Sequence, residues 1–234
     1  NERTELDYYK KLVELNIVDK FVFYRTKKKD KRIEFLKKNN INFVSWGRSS
    51  NTKDYAWIDL DNEKSIFVLM QRLYNFGHRN IGLINVHQSF NYGHQRKIAY
   101  EKFLKINGLK FNPKNYLDSL NSSTLEGINL TKKLLSQNNP PTAIICSLDK
   151  FFIGCLQECQ KRGLIIGKNI SVVGYNDHDN YLSSQNLTFI SHPLTKMGEM
   201  SVEMLRNMEK GVKPESLSKL IEPLLHKGKS DGKI

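Results

Sequence analysis

Cysteine is the first shortage in this sequence. Only Cys146, Cys155 and Cys159 are present, and an odd number builds no disulfide framework. Cys155 and Cys159 stand four apart, which would put two sulfurs on one helix face, but no His or Cys follows at metal-site spacing. The expectation is therefore no metal and no cofactor, with the cysteines as small buried residues in a reducing cytoplasm. Long apolar runs are missing too. Nothing approaches the ~20 consecutive apolar residues that span a bilayer, and the charged opening Asn1-Glu2-Arg3-Thr4-Glu5 has no apolar segment behind it. This reads as a cytoplasmic protein without membrane contact. A starting Met is absent, so a processed or partial chain is expected. Acidic residues are scarce, with Asp+Glu 24 against Lys+Arg 37 and a formal charge of +13. That balance fits either a nucleic-acid partner or a composition simply rich in Lys and Asn. No helix-turn-helix, zinc-finger or aromatic RNA-binding pattern accompanies it. Lys27-Lys28-Lys29 with Lys31-Arg32 reads as a solvated loop and helix start. Catalytic patterns are lacking as well: no Gly-x-Ser-x-Gly elbow, no phosphate-binding glycine loop, no Cys/His pairing. The six histidines are scattered, and the chain is expected not to be an enzyme.

What is present is an alternation. At 234 residues the chain can bury one large core or two smaller ones. Leu6, Tyr9, Leu12, Val13 and Leu15 recur at helical spacing, and the β-rich run Ile17–Tyr24 follows. Asp30 is placed to cap a helix carrying Ile33, Phe35 and Leu36. Strands are expected at Ile41–Trp46 and Ala56–Leu60. Asp61 or Asn62 then caps a helix that Gly77 closes in a left-handed conformation. Ile81–Val86 is apolar throughout, as a strand covered on both faces would be. Helices are expected over 94–107, 124–137, 150–162 and 194–210, and strands at Ala143–Cys146, Ile170–Tyr175 and Leu187–Ile190. Short β-rich runs separated by helices imply an α/β fold of mostly parallel sheets with helices on both faces. Ligands in such folds collect beyond the carboxyl ends of the strands. The loops after Trp46, Val86, Ser147 and Tyr175 are therefore where function is sought.

A set of motifs now falls into register. They are Asp59-Leu60-Asp61-Asn62, Phe76-Gly77-His78-Arg79-Asn80-Ile81-Gly82, Arg96-Lys97-Ile98-Ala99-Tyr100 and Pro140-Pro141-Thr142-Ala143-Ile144. Ile170-Ser171-Val172-Val173-Gly174-Tyr175-Asn176-Asp177, Leu187-Thr188 and Leu220-Ile221-Glu222-Pro223-Leu224 with Lys227-Gly228 complete it. In order and spacing, over nearly the whole chain, these resemble the lactose-repressor/galactose-repressor (LacI/GalR) family of transcriptional regulators. The resemblance implies a two-lobed periplasmic-binding-protein-like (type I) domain. Its N-terminal lobe would hold 1–59 and 192–218, and its C-terminal lobe 60–190 and 219–231. It implies a sugar or oligosaccharide effector held between the lobes, a homodimer, and operator DNA contacted only by a separate headpiece. That helix-turn-helix headpiece and the family's opening βαβ stretch are not found in this sequence. A transporter's sugar-binding protein, an α/β hydrolase and a purine effector are the alternatives.

The resemblance places the family's sugar-gripping arginine at Arg96, whose fork of donors suits vicinal hydroxyls; without it, Arg96 would be one more surface arginine. Asn176 stands where the family usually has aspartate, so the acceptor is kept, two donors are added and the charge is lost. Asp177 either supplies that carboxylate or caps the next turn. Asp149 either caps the helix after Ser147 or touches ligand. His192 falls at a family ligand position. Trp46 either stacks on a sugar face or belongs to the core, and Tyr92 is a second stacking candidate. Asn62 and His78 read as structural, a cap and a turn residue.

Overall fold

The computed structural model describes residues 2–176 and 185–234. Asp177 lies outside the described residues. In chain order the elements are α1 (Glu2–Glu14), β1 (Lys20–Phe23), α2 (Lys31–Lys38), β2 (Asn42–Trp46), β3 (Ala56–Leu60), α3 (Asn62–Asn75) and β4 (Ile81–Val86). There follow α4 (Asn91–Ile106), β5 (Tyr116–Ser119), α5 (Thr124–Leu135), β6 (Ala143–Cys146), α6 (Asp149–Lys161), β7 (Ser171–Asn176), β8 (Thr188–Ser191), α7 (Leu194–Glu209), β9 (Lys219–Ile221) and β10 (Leu224–His226). The chain divides into two compact units. The first comprises Asn1–Leu60, Ser89–Tyr92 and Leu194–Ile221, the second Asp61–Gln88, Gly93–Pro193 and Glu222–Ile234.

The first unit is built on a parallel sheet of order β1-β2-β3-β9. Tyr9, Leu12, Ile33 and Leu36 of α1 and α2 pack on one face, against Phe21, Phe23 and Phe43. On the other, Met197, Met204 and Met208 of α7 cover Val44, Ala56 and Ile58. Asp30 caps α2 as its position suggests, accepting from the backbone N–H of Arg32 at 3.0 Å. Its carboxylate also binds the Arg32 side chain through both oxygens, at 3.0 and 2.7 Å. Burial alone would raise the Asp30 pKa, but the hydrogen bonds and charge of Arg32 outweigh it and hold the carboxyl below its usual value.

The second unit carries a six-stranded sheet of order β10-β8-β7-β6-β4-β5, parallel apart from β10 against β8. Every residue of β4, β6 and β7 is buried, the expected fate of strands covered on both faces. Asp61 caps α3 through the N–H of Lys64 at 2.9 Å, and Gly77, at φ +98°, closes it. The three cysteines are all buried in this unit's core. The neighbouring Cys146 thiol together with burial pushes the Cys155 thiol up, so it does not ionise.

Three expectations are corrected. Asp149 is not a helix cap: Leu148 occupies that position in extended geometry (φ −138°, ψ 150°), and Asp149 is the first residue of α6. Its carboxylate accepts from the N–H of Lys150 at 2.7 Å, where an acid still complements the helix dipole. Residues 219–231 do not stay together: β9 pairs with β3 in the first unit, while β10 pairs with β8 in the second. The short stretch Ser89–Tyr92 also belongs to the first unit. The basic excess is shared almost evenly, with 19 Lys+Arg against 13 Asp+Glu in the first unit and 18 against 11 in the second. It does not single out either unit as a nucleic-acid-binding half.

Candidate ligand-binding site

In the second unit, the carboxyl ends of β4, β6, β7 and β8, the first turn of α3 and the second turn of α4 bring one polar set together. Arg96, on α4, is 2% exposed, so it is not a surface arginine. Its Nε donates to Asn62 Oδ1 at 2.9 Å and its Nη1 to the carbonyl of Ser147 at 2.7 Å. The guanidinium carbon lies 3.8 Å from the centre of the Tyr175 ring. A guanidinium with two donors committed and one face on an aromatic ring has a fixed orientation. Ser147 is itself locked: its Oγ accepts from Val86 N–H at 2.9 Å, and its own N–H donates to Ile84 O at 2.9 Å. Burial raises the Tyr175 phenol above its usual pKa, with the Arg96 charge pulling the other way, so the ring under the guanidinium stays neutral.

Two further candidates stand at this edge. Asn176 is the last residue of β7, 3% exposed, in register with Ser191 of β8. His192 follows Ser191, and its ring centre lies 6.1 Å from that of Tyr175. Tyr175 thus bridges Arg96 and His192. Asp149 is in the same unit, two residues beyond Ser147. Tyr92 and Trp46 belong to the first unit. Tyr92 stands 5.7 Å, ring to ring, from Phe90. Trp46 is half-buried, packs against the α7 cluster and donates its indole N–H to Ser201 Oγ at 2.8 Å.

Asn62, Ser147 and Tyr175 were not among the residues singled out for binding. For Asn62 there was a signal in the sequence. Asp61 and Asn62 are both able to cap a helix, a cap needs one of them, and the spare amide is available for another partner. Ser147 contributes a backbone carbonyl, which no side-chain pattern reveals. His78 is structural as expected, its two ring nitrogens meeting Thr142 Oγ1 at 2.8 Å and Ser171 Oγ at 2.9 Å.

Comparison with known proteins places this geometry in context. Residues 70–230 match the family model described as periplasmic binding protein-like domain. Over 231 residues the chain is 29% identical to the HTH-type transcriptional regulator RafR of Escherichia coli, covering 97% of this chain and 68% of that protein. Over 189 residues it is 30% identical to the HTH-type transcriptional regulator AglR of Rhizobium meliloti (strain 1021), covering 80% and 52%. The crystal structure of a regulatory protein of the LacI family from Chloroflexus aggregans superposes with a TM-score of 0.85 at 27% identity, covering 99% of this chain and 83% of that one. The chain therefore spans about half to two thirds of the length of these curated relatives.

Proposed function

Because the chain belongs to the periplasmic binding protein-like family, as an effector-binding domain of the LacI/GalR type, we propose that it senses a sugar or oligosaccharide and regulates transcription in response. The observation that carries this reading is the buried, fully oriented Arg96 at the carboxyl edge of the six-stranded sheet. An immobilised guanidinium, with the Asn176 amide at the end of β7 in the same unit, offers directed donors and acceptors to a neutral polyol. Arg96 grips vicinal hydroxyls, Asn176 both donates and accepts, and His192 contributes one ring nitrogen. Asp149 and Asp177 supply carboxylates for outlying hydroxyls.

The role is regulation, not catalysis. The effector binds one conformation better than another, and that difference is the signal. Couplings of this kind are about 1–3 kcal/mol, enough to change operator occupancy several-fold or more. Operator contact is assigned to a helix-turn-helix segment outside these residues, and the working species to a cytoplasmic homodimer.

The test is a thermal-shift and calorimetric screen against neutral mono- and disaccharides, sugar phosphates and purine nucleosides. A neutral saccharide at a hundred times its Kd should stabilise the fold by about 2.7 kcal/mol. His192→Ala and Asn176→Ala should each weaken that binding by about tenfold. A purine as the only ligand, or saccharide binding unmoved by both variants, overturns the assignment.

A further inference from the structure

The amide of Asn62 is not needed where it stands. Asp61 already caps α3 by accepting from Lys64 N–H, and Asn62 follows as the first helical residue. Yet Asn62 is 1% exposed, and an amide buried to that extent is expected to be fully engaged. Both its ends reach α4. Oδ1 accepts from Arg96 Nε at 2.9 Å, and Nδ2 donates to Gln95 Oε1 at 3.3 Å. The direction of the amide is settled by chemistry, because a guanidinium N–H can only donate and therefore faces the oxygen. With Nη1 on Ser147 O and Tyr175 against one face, the Asn62 bond removes the remaining freedom about the end of the arginine side chain. The chain's own contacts thus order a long, rotamer-rich side chain, and that ordering is the main penalty in gripping a flexible guanidinium.

We infer that Asn62 is the positioning residue of this site. Its amide oxygen sets the attitude of Arg96, and it does so two residues beyond Leu60, where the chain leaves the first unit's segment for the second's. The role rests on the effector reading above as far as affinity is concerned; the Arg96 geometry stands without it. An amide at this position keeps the guanidinium oriented while leaving it fully charged toward the ligand. A carboxylate would orient it equally well but draw on that charge, and an aliphatic side chain would release it.

Nitrogen-15 NMR of the arginine Nε–H groups in the full chain tests this, with Arg96→Lys identifying the Arg96 signal. The wild-type Arg96 Nε–H should be resolved and slow to exchange. Asn62→Leu, similar in size but without an acceptor, should lose that protection, while Asn62→Asp should keep it. Titration with maltose, cellobiose, sucrose and lactose supplies the second reading. Asn62→Leu should weaken whichever disaccharide binds by about tenfold or more, and Asn62→Asp should recover most of the affinity. If Asn62→Leu does not fold, Asn62→Ser, too short to reach Arg96, takes its place with the same expected losses. Retention of both the protected signal and the affinity in the Leu or Ser variant means the amide only fills space, and the inference falls. If none of the disaccharides binds the wild type, the effector reading is in question, and the Nε–H signal alone still decides the role of Asn62.

Discussion

The two units use one βα grammar and finish it differently. In the second, β4, β6 and β7 are interior strands, buried at every position. In the first, β1 lies at the sheet edge and alternates: Phe21 and Phe23 are buried, while Val22 is 46% exposed. Phe21, Tyr9, Phe23, Phe43 and Tyr55, in that order, form an aromatic ladder on the covered face, with successive ring centres 4.8 to 6.2 Å apart. As bare strings, Lys-Phe-Val-Phe and Ile-Gly-Leu-Ile-Asn-Val are both β-rich. What separates them is lateral position in a sheet, and position governs what an apolar side chain contributes. The buried arginines differ in the same spirit. Arg32 of the first unit spends its charge on Asp30 and Glu5 and lies over Phe23, a closed structural knot. Arg96 of the second is held by an amide oxygen, a carbonyl and a neutral ring.

Experiments can widen or collapse that contrast. The largest effect is expected from Asp30→Ala, which leaves Arg32 buried without its main partner and should cost about 3–5 kcal/mol in urea unfolding. Both tryptophans, Trp46 and Trp57, lie in the first unit, so their fluorescence should follow this loss directly. Next comes Gly154→Ala in the second unit. An added Cβ would sit 2.7 Å from the backbone nitrogen of Ile128 and closer still to the Thr124 carbonyl, so α5 must retreat, at a cost of about 3 kcal/mol. Tryptophan emission should report this only if the units unfold together. The pair Val172→Ala and Val22→Ala is the sharpest comparison. The interior valine should cost about 2 kcal/mol and the edge valine a few tenths; equal costs would erase the distinction drawn here.

The smallest effect is on pH. Burial holds the His78 imidazole below its usual pKa of 6.5, with the Gly232 carbonyl and the Asp231 charge opposing it. The unfolded chain therefore binds the proton more readily, and the His78 contribution is intact above about 6.5 and lost as pH falls below it. Asp30, held below its usual 3.8, keeps its contribution until more acid conditions and loses it as pH falls through that lower range. Mild acid should thus loosen the second unit first. Unfolding midpoints between pH 7.5 and 5 should flatten in His78→Gln; an unchanged slope would remove His78 from the account.

Most of the architecture was legible because interior parallel strands and amphipathic helices write themselves into local spacing. Ala56–Leu60 and Ala143–Cys146 match the expected strands residue for residue, and the helix expected over 150–162 is Asp149–Lys161. Strand β5 was not, because Tyr-Leu-Asp-Ser is half-buried throughout and lacks a clear period. The start of α4, expected at 94, falls at Asn91 because the helix begins among residues of the first unit, a tertiary matter. The site follows the same rule. Arg96, Asn176 and His192 are candidates proposed from motif register, and the structure places all three in the second unit. The Ser147 carbonyl, the Tyr175 ring beneath the guanidinium and the Asn62 bond depend on distances across 34 to 79 positions of chain, which spacing does not encode.

The placement of β9 and α7 bears on the order of events during synthesis. A ribosome delivers β1, β2 and β3 early, yet β3 gains its outer neighbour only when residues 219–221 emerge, and the sheet gains its methionine cover only with residues 194–209. Until then the early half carries a raw apolar face and an unpaired edge, the features that invite misassociation. These closures join positions about 160 apart in sequence, and such distant pairings slow the search for the native state. Residues 20–60 thus wait on residues 194–221 for their completion, and a chaperone that shields residues 20–60 would act where the delay is longest.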